Sequence, residues 1–290
     1  MTAATYAFAQ LLRVLPRTQI TRAVGRLCEL ELPPAVSRAV VGAYARAYHV
    51  DLGEAEPLNG RGAYRSFDAF FTRRLRDGAR ANDAPDDVLV SPADGRLDSF
   101  GIVAKDGLFR VKGRSWRAAD LLGDASDGEA EAERYLGGQF AIIYLSPRDY
   151  HRVHAPVAGE LREVRSYPGE LFPVNSISEA HIPNYLGRNR RVAIRLRTRM
   201  LGDVTVVMVA AMIVGRITVT GVEERDVPVG THRPPGVRLE RGDELGIFHL
   251  GSTAVIFLEP GAKVEFQRSF GSILLGQPMT PTFNGGSGHD

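Results

Sequence analysis

The chain has 290 residues, 44% hydrophobic and 24% charged, enough to bury a large core as one domain or as one domain with appendages. A formal net charge of +2 is too small to point to nucleic acid, and Cys28, the single cysteine, excludes an intramolecular disulfide and makes a reducing cytoplasm the default. No run approaches the roughly 20 apolar residues of a membrane span, and the start lacks the basic, apolar and cleavage segments of an export signal.

From Thr2 to about Arg80 the pattern is helical. Leu11, Leu12, Val14 and Leu15 precede Pro16, and Ile20, Val24, Leu27 and Cys28 then recur at three- to four-residue spacing. In the first fifty residues Arg13, Arg17, Arg22, Arg26, Arg38 and Arg46 face only Glu29 and Glu31, an excess that suits an anionic lipid surface as well as solvated helix faces. Ser66 is placed to cap a helix carrying Phe67, Phe70, Phe71 and Leu75.

After the turn Asn82–Pro85 the texture changes to β-type runs, Val88–Val90, Phe140–Leu145, Val192–Leu196, Val204–Val209 and Ala254–Leu258, separated by Gly, Pro and Asp. The expectation is an α+β protein, with an amphipathic helical region over residues 1–81 and a mainly antiparallel β-sandwich or barrel-like core over 82–290. Within that core Pro92-Ala93-Asp94-Gly95-Arg96-Leu97 and Pro156-Val157-Ala158-Gly159-Glu160-Leu161 share the pattern Pro-x-x-Gly-x-Leu, a turn into a strand that suggests a pseudo-symmetric core. Asn284–Gly288 has the composition of a loose tail.

Three places carry candidate chemistry. Asp94 lies in an Asp-Gly turn, which by itself has a structural explanation. His151 and His154 stand three apart between Pro147 and Pro156. The prolines argue for extended chain, on which the two rings point to opposite faces and have different jobs; no further ligands accompany them, so no metal is expected. Leu250-Gly251-Ser252-Thr253 precedes an apolar strand, and a serine held there in strained backbone is positioned to attack its own preceding carbonyl.

Taken together and in order, these segments resemble the phosphatidylserine decarboxylase family. The resemblance covers nearly the whole chain: Tyr64-Arg65-Ser66-Phe67 with Phe70-Phe71, Pro92–Gly95, Tyr144–His154, Pro168-Gly169-Glu170-Leu171-Phe172-Pro173-Val174-Asn175, Asn189–Val192, Val214-Gly215, Leu250–Thr253 and Gly276-Gln277-Pro278. The helices before Ser66 and the stretch Gly123–Arg134 follow the family loosely.

The resemblance implies a proenzyme cut between Gly251 and Ser252 by a triad of Asp94, His154 and Ser252, giving a large chain 1–251 and a small chain 252–290. His154, oriented by Asp94, would take the Ser252 proton, and the attack on Gly251 would end in a covalent pyruvoyl group derived from Ser252. That group would hold phosphatidylserine as a Schiff base, release CO2 and yield phosphatidylethanolamine, with His151 protonating the product carbon. Pyridoxal phosphate is not expected, since Lys105, Lys112 and Lys263 occupy no aldehyde-anchoring motif. The implied location is peripheral, on the cytoplasmic side of the cell membrane, in contact with anionic lipid; a homodimer is compatible with the resemblance. The residues gripping the phosphate are sought near Asn175.

Two rival readings differ in class. Asp94, His154 and Ser252 would serve a hydrolase acting on external substrates, although Ser252 is not in a Gly-x-Ser-x-Gly setting. The Pro-x-x-Gly-x-Leu repeats would suit a lipoyl or biotinyl carrier, which needs a lysine at a hairpin tip that neither repeat has.

Overall fold

The computed structural model describes residues 3–58, 60–86, 88–213, 215–262, 266 and 269–280. Four helices come first: α1 (Ala3–Val14), α2 (Arg17–Glu29), α3 (Pro34–Tyr48) and α4 (Phe67–Phe71). Prolines punctuate them, Pro16 at the entry of α2 and Pro33–Pro34 opening α3, where a missing N–H costs nothing. Ser66 caps α4 as its sequence position predicts, its Oγ accepting from Ala69 N at 3.1 Å. The helix is shorter than expected: Leu75 lies beyond it and forms a β-bridge with Ala55.

The strands are β1 (Gly95–Ile102), β2 (Leu108–Val111), β3 (Arg114–Arg117), β4 (Gln139–Leu145), β5 (Arg152–His154), β6 (Gly159–Tyr167), β7 (Arg191–Thr198), β8 (Asp203–Val209), β9 (Arg216–Val219), β10 (Gly230–His232), β11 (Arg238–Leu239), β12 (Glu244–His249), β13 (Ser252–Leu258) and β14 (Gly271–Ile273). Short helices α5 (Ala118–Leu122), α6 (Gly128–Glu133), α7 (Ser176–His181) and α8 (Tyr185–Arg188) interrupt them.

An antiparallel sheet runs β10-β6-β7-β8-β13-β4-β1-β14, with β11 also on β6, and its order does not close on itself among the described residues. Alternate residues of β4 and β13 serve two cores. Ala141, Ile143, Leu145, Ala254, Ile256 and Leu258 face one, where the small sheet β5-β12-β9 brings Val153, Phe248 and Ile217. Phe140, Ile142, Val255 and Phe257 face the other, covered by the β2–β3 hairpin, α5 and α8 through Phe109, Trp116, Leu121 and Tyr185. Cover on both faces is why these strands read as unbroken apolar runs rather than as alternation. The α+β class and antiparallel core hold, and the architecture is a central sheet with a small sheet on one side and helices on the other.

The two Pro-x-x-Gly-x-Leu copies are tied to each other reciprocally. Val90 N donates to Pro156 O at 3.0 Å and His154 N donates to Pro92 O at 2.7 Å, so the residue two before each proline bonds the other proline's carbonyl. Each copy then enters a strand, β1 or β6, and each leucine is buried in the same core. Val88–Val90 is buried but forms only a bridge, Val90 to Pro278, instead of the expected strand.

Helix α2 packs Val24 and Cys28 against the sheet core while Arg22 and Arg26 stay exposed. Arg17, expected in the same exposed excess, is instead buried, bonded to Glu170 at 2.5 Å and stacked 4.0 Å over the Phe172 ring. The expected tail at 284–288, Val214 and Lys263 lie outside the described residues.

Candidate active site

Where β4 ends at Leu145, Asp149 closes a turn by accepting from Ser146 N and Oγ at 2.6 and 2.7 Å. The chain then passes through His151 into β5, which ends at His154. His151 is fully buried against Phe71, ring centres 4.1 Å apart. Its Nδ1 lies 2.8 Å from the Asp149 carbonyl. A carbonyl only accepts, so the proton sits on Nδ1 and Nε2 is a bare lone pair, with no partner among the described residues. Burial pushes the His151 pKa down to about 3.

His154 follows the same rule. Its Nδ1 donates to Gly242 O at 2.7 Å, and Tyr150 Oη lies 3.1 Å from Nε2. Burial again lowers the pKa, against the raising effects of the Gly242 bond and of Glu244. Both imidazoles are therefore neutral near pH 7, each with Nε2 as its basic atom.

Asp94 is buried at the entry to β1. Its carboxylate accepts from Arg80 Nη2 at 2.6 Å, Arg80 Nε at 2.9 Å and Leu275 N at 2.8 Å. Arg80 also grips Glu54 with two bonds of 2.8 Å. Asp94 and His154 share no hydrogen bond, so the orienting partner of His154 is the Gly242 carbonyl rather than the expected Asp94 carboxylate. What joins the two residues is the backbone bond from His154 N to Pro92 O.

Ser252 opens β13, its backbone opposite Leu145 of β4, while Arg96 pairs with Tyr144 on the other side of β4. Asp94 and Ser252 thus flank the end of one strand, two strand spacings or roughly 10 Å apart in backbone terms. The Ser252 side chain lies outside the described residues. Immediately before it, Leu250 has φ 85° and Gly251 φ 29°. The left-handed region costs a branched residue such as leucine about 1 kcal/mol or more, so the Leu250–Gly251 step is strained. Gly251 and Leu250 wall a cavity of ≈ 350 Å³ together with Tyr44, Phe67, Phe71 and Leu145. Asn175 is not free to grip a ligand with its carbonyl oxygen, which caps α7 by accepting from Ile177 and Ser178 N.

Sequence reasoning missed a buried acid–imidazole pair. Asp68 of α4 reaches His249, the last residue of β12, at 2.8 Å, and both are buried. Burial alone would raise the Asp68 pKa, but the His249 bond and the charges of Arg216 and Arg225 outweigh it and leave the pKa lowered. No motif announces this pair, because its members are 181 residues apart. Tyr150 was visible in the histidine segment, but nothing in the spacing marked it as the partner of His154.

Comparison with known proteins gives this geometry a context. The family model for phosphatidylserine decarboxylase matches residues 67–277. A phosphatidylserine decarboxylase proenzyme of Acinetobacter baumannii (strain AYE) is 38% identical over 286 residues, covering 95% of this chain and 96% of the relative. Proenzymes of the same name from Marinobacter nauticus and Psychrobacter arcticus are 41% identical over 86% of this chain and 87% of the relative, and 40% identical over 90% and 92%. These matches make the chain a pyruvoyl-dependent carboxy-lyase. The chain belongs to the phosphatidylserine decarboxylase family.

Proposed function

We propose that the chain opens its own Gly251–Ser252 peptide bond and then, as large chain 1–251 and small chain 252–290, decarboxylates phosphatidylserine to phosphatidylethanolamine. The observation that carries this reading is the strained Leu250–Gly251 step on the wall of an apolar cavity, with a serine next in the chain. Asp94, His154 and Ser252 are assigned to cleavage. Ser252 Oγ attacks the Gly251 carbonyl as His154 Nε2, neutral and basic, takes the hydroxyl proton; the C–N bond then breaks to leave an ester as His154 passes that proton to the departing Ser252 nitrogen, which becomes a free amine. Asp94 acts at one remove, holding the turn whose Pro92 carbonyl fixes His154. β-Elimination at residue 252 then releases Gly251 as a carboxylate, and hydrolysis of the dehydroalanine left behind gives ammonia and the pyruvoyl group.

The residues fit such a group, since residue 252 begins a central strand beside a cavity with a mainly apolar lining. The pyruvoyl group supplies an electron sink for the pair left when a serine headgroup loses CO2. His151 handles the proton. The unpartnered Nε2 of His151, beside the cavity-lining Phe71, is assigned to relaying a solvent proton to the product carbon after CO2 leaves.

A lipid surface supplies the substrate. Among the described residues no helix is long and apolar enough to cross a membrane. The exposed apolar side chains Tyr6, Leu11, Val14, Leu27, Leu30 and Val36 belong to α1–α3 or the turns at their ends, and with Arg13, Arg22, Arg26, Arg38 and Arg46 they suit residues 1–81 to peripheral docking on an anionic cytoplasmic leaflet, with 82–290 as the catalytic core. The test compares two variants with release of labelled CO2 as readout. Ser252→Ala should be unbroken and inactive, and His151→Ala cleaved but inactive. Turnover by unbroken Ser252→Ala protein would sink the proposal.

A further inference from the structure

Helix α2 stands between two cavities. Val24 and Cys28 wall the apolar one, while Thr21, Arg22, Gly25 and Arg26 wall a larger one of ≈ 510 Å³ whose far side includes Arg216, His249 and Leu250. Leu250 belongs to both cavities, whereas Gly251 borders only the apolar one.

The larger cavity carries unspent positive charge. Arg216 is paired with Glu29, Arg190 with Asp226 at 2.7 Å, and Asp68 accepts from His249 at 2.8 Å. Arg22 and Arg26, one helical turn apart, are exposed and have neither ion pair nor hydrogen bond among the described residues.

Cleavage creates a problem that this charge solves. When the Gly251–Ser252 bond opens, Gly251 becomes a carboxylate on the wall of the apolar cavity. A carboxylate left there unpaired is strongly disfavoured, and it stands where the substrate amine must approach residue 252. Gly251 has no side chain, and Leu250 already touches both cavities, so rotation about one residue, which spans about 3.8 Å between Cα atoms, redirects the chain end toward α2.

We propose that the cavity between α2 and the end of β12 is the docking site for the carboxylate newly formed at Gly251, with Arg22 and Arg26 as its ligands. Guanidinium forks match a carboxylate in shape and charge. Docking there clears the apolar cavity for substrate and converts cleavage into opening of the site. The proposal rests on cleavage at Gly251–Ser252 and deepens it by giving the large chain's new end a place.

The test uses cleaved enzyme in detergent-free buffer, with a short-chain phosphatidylserine that is soluble as a monomer, so that membrane docking plays no part. Wild type and the double variant Arg22→Gln/Arg26→Gln are treated with a carboxypeptidase, and the large-chain mass is followed. Wild type should keep Leu250 and Gly251, whereas the double variant should lose them. The variant should cleave itself at the wild-type rate, which also reports that it folds, yet decarboxylate more slowly by about ten-fold, the scale of one lost charge-assisted hydrogen bond. Arg22→Lys/Arg26→Lys should restore protection in part. Equal trimming of wild type and double variant would overturn the proposal. So would equal protection combined with a raised KM for the lipid, which would make the cavity a headgroup phosphate site. A wild-type chain that never breaks would instead refute the cleavage reading itself, and the mass separates the two failures.

Discussion

His154 and Gly242 are joined by a 2.7 Å hydrogen bond from the ring Nδ1 to a main-chain carbonyl, which leaves Nε2 as the ring atom able to accept a proton. A main-chain partner keeps this orientation whatever the charge of nearby carboxylates. His154→Ala should therefore abolish self-cleavage, and His154→Gln, which keeps hydrogen bonding but not basicity, should do the same. A cleavage time course read by denaturing gel or mass checks both.

Asp94 makes a separable prediction. Its carboxylate is paired with Arg80, both side chains being at most one-tenth exposed, and breaking a buried pair costs about 3–5 kcal/mol. Asp94→Asn should lower Tm by several degrees and slow cleavage through the displaced Pro92 turn. An Arg80→Met variant should do the same. Were Asp94 instead a direct partner of the imidazole, Arg80→Met would leave cleavage untouched.

Protonation of the histidines sets a pH window. His151 is pushed down to about 3 by burial, so between about pH 6.5 and that value the unfolded chain binds the proton and the folded chain does not. Stability is fully present above about pH 6.5 and falls as the pH drops through the window, by up to about 1.4 kcal/mol per unit. His151→Phe should flatten Tm against pH in that range. Burial lowers the pKa of His154, so the acid limb of the cleavage rate should fall at a lower pH than an ordinary histidine would set.

At the start of β1, a Cβ on Gly95 would overlap the Tyr144 carbonyl oxygen. Neither backbone yields without breaking the β1–β4 ladder, so Gly95→Ala should fail to fold or lose several kcal/mol. Soluble yield and chemical denaturation report the outcome. Gly60, with open space around it, makes the control: Gly60→Ala should cost only about 1 kcal/mol for its positive φ.

Much of this was legible in the sequence. The runs Phe140–Leu145, Val204–Val209 and Ala254–Leu258 fall within β4, β8 and β13, because burial on both faces writes itself as continuous apolar chain. Ser66 announced its cap. What stayed hidden depends on contacts between distant residues. Leu75 fits the helical spacing of α4 but bridges to Ala55, and Val88–Val90 has strand composition but meets Pro278 only through Val90. At the site, the ordered motifs named Asp94, His151, His154 and Gly251, while the Gly242 carbonyl that orients His154 is a backbone atom that no motif encodes. The Asp68–His249 pair was invisible for the same reason, as it joins α4 to the end of β12.

The intact mass of freshly made protein under denaturing conditions tests the central claim most directly. Two species are expected, residues 1–251 and residues 252–290, the second lighter than its serine form by the difference between a serine and a pyruvoyl terminus. An unbroken chain that nevertheless releases CO2 from phosphatidylserine would contradict it.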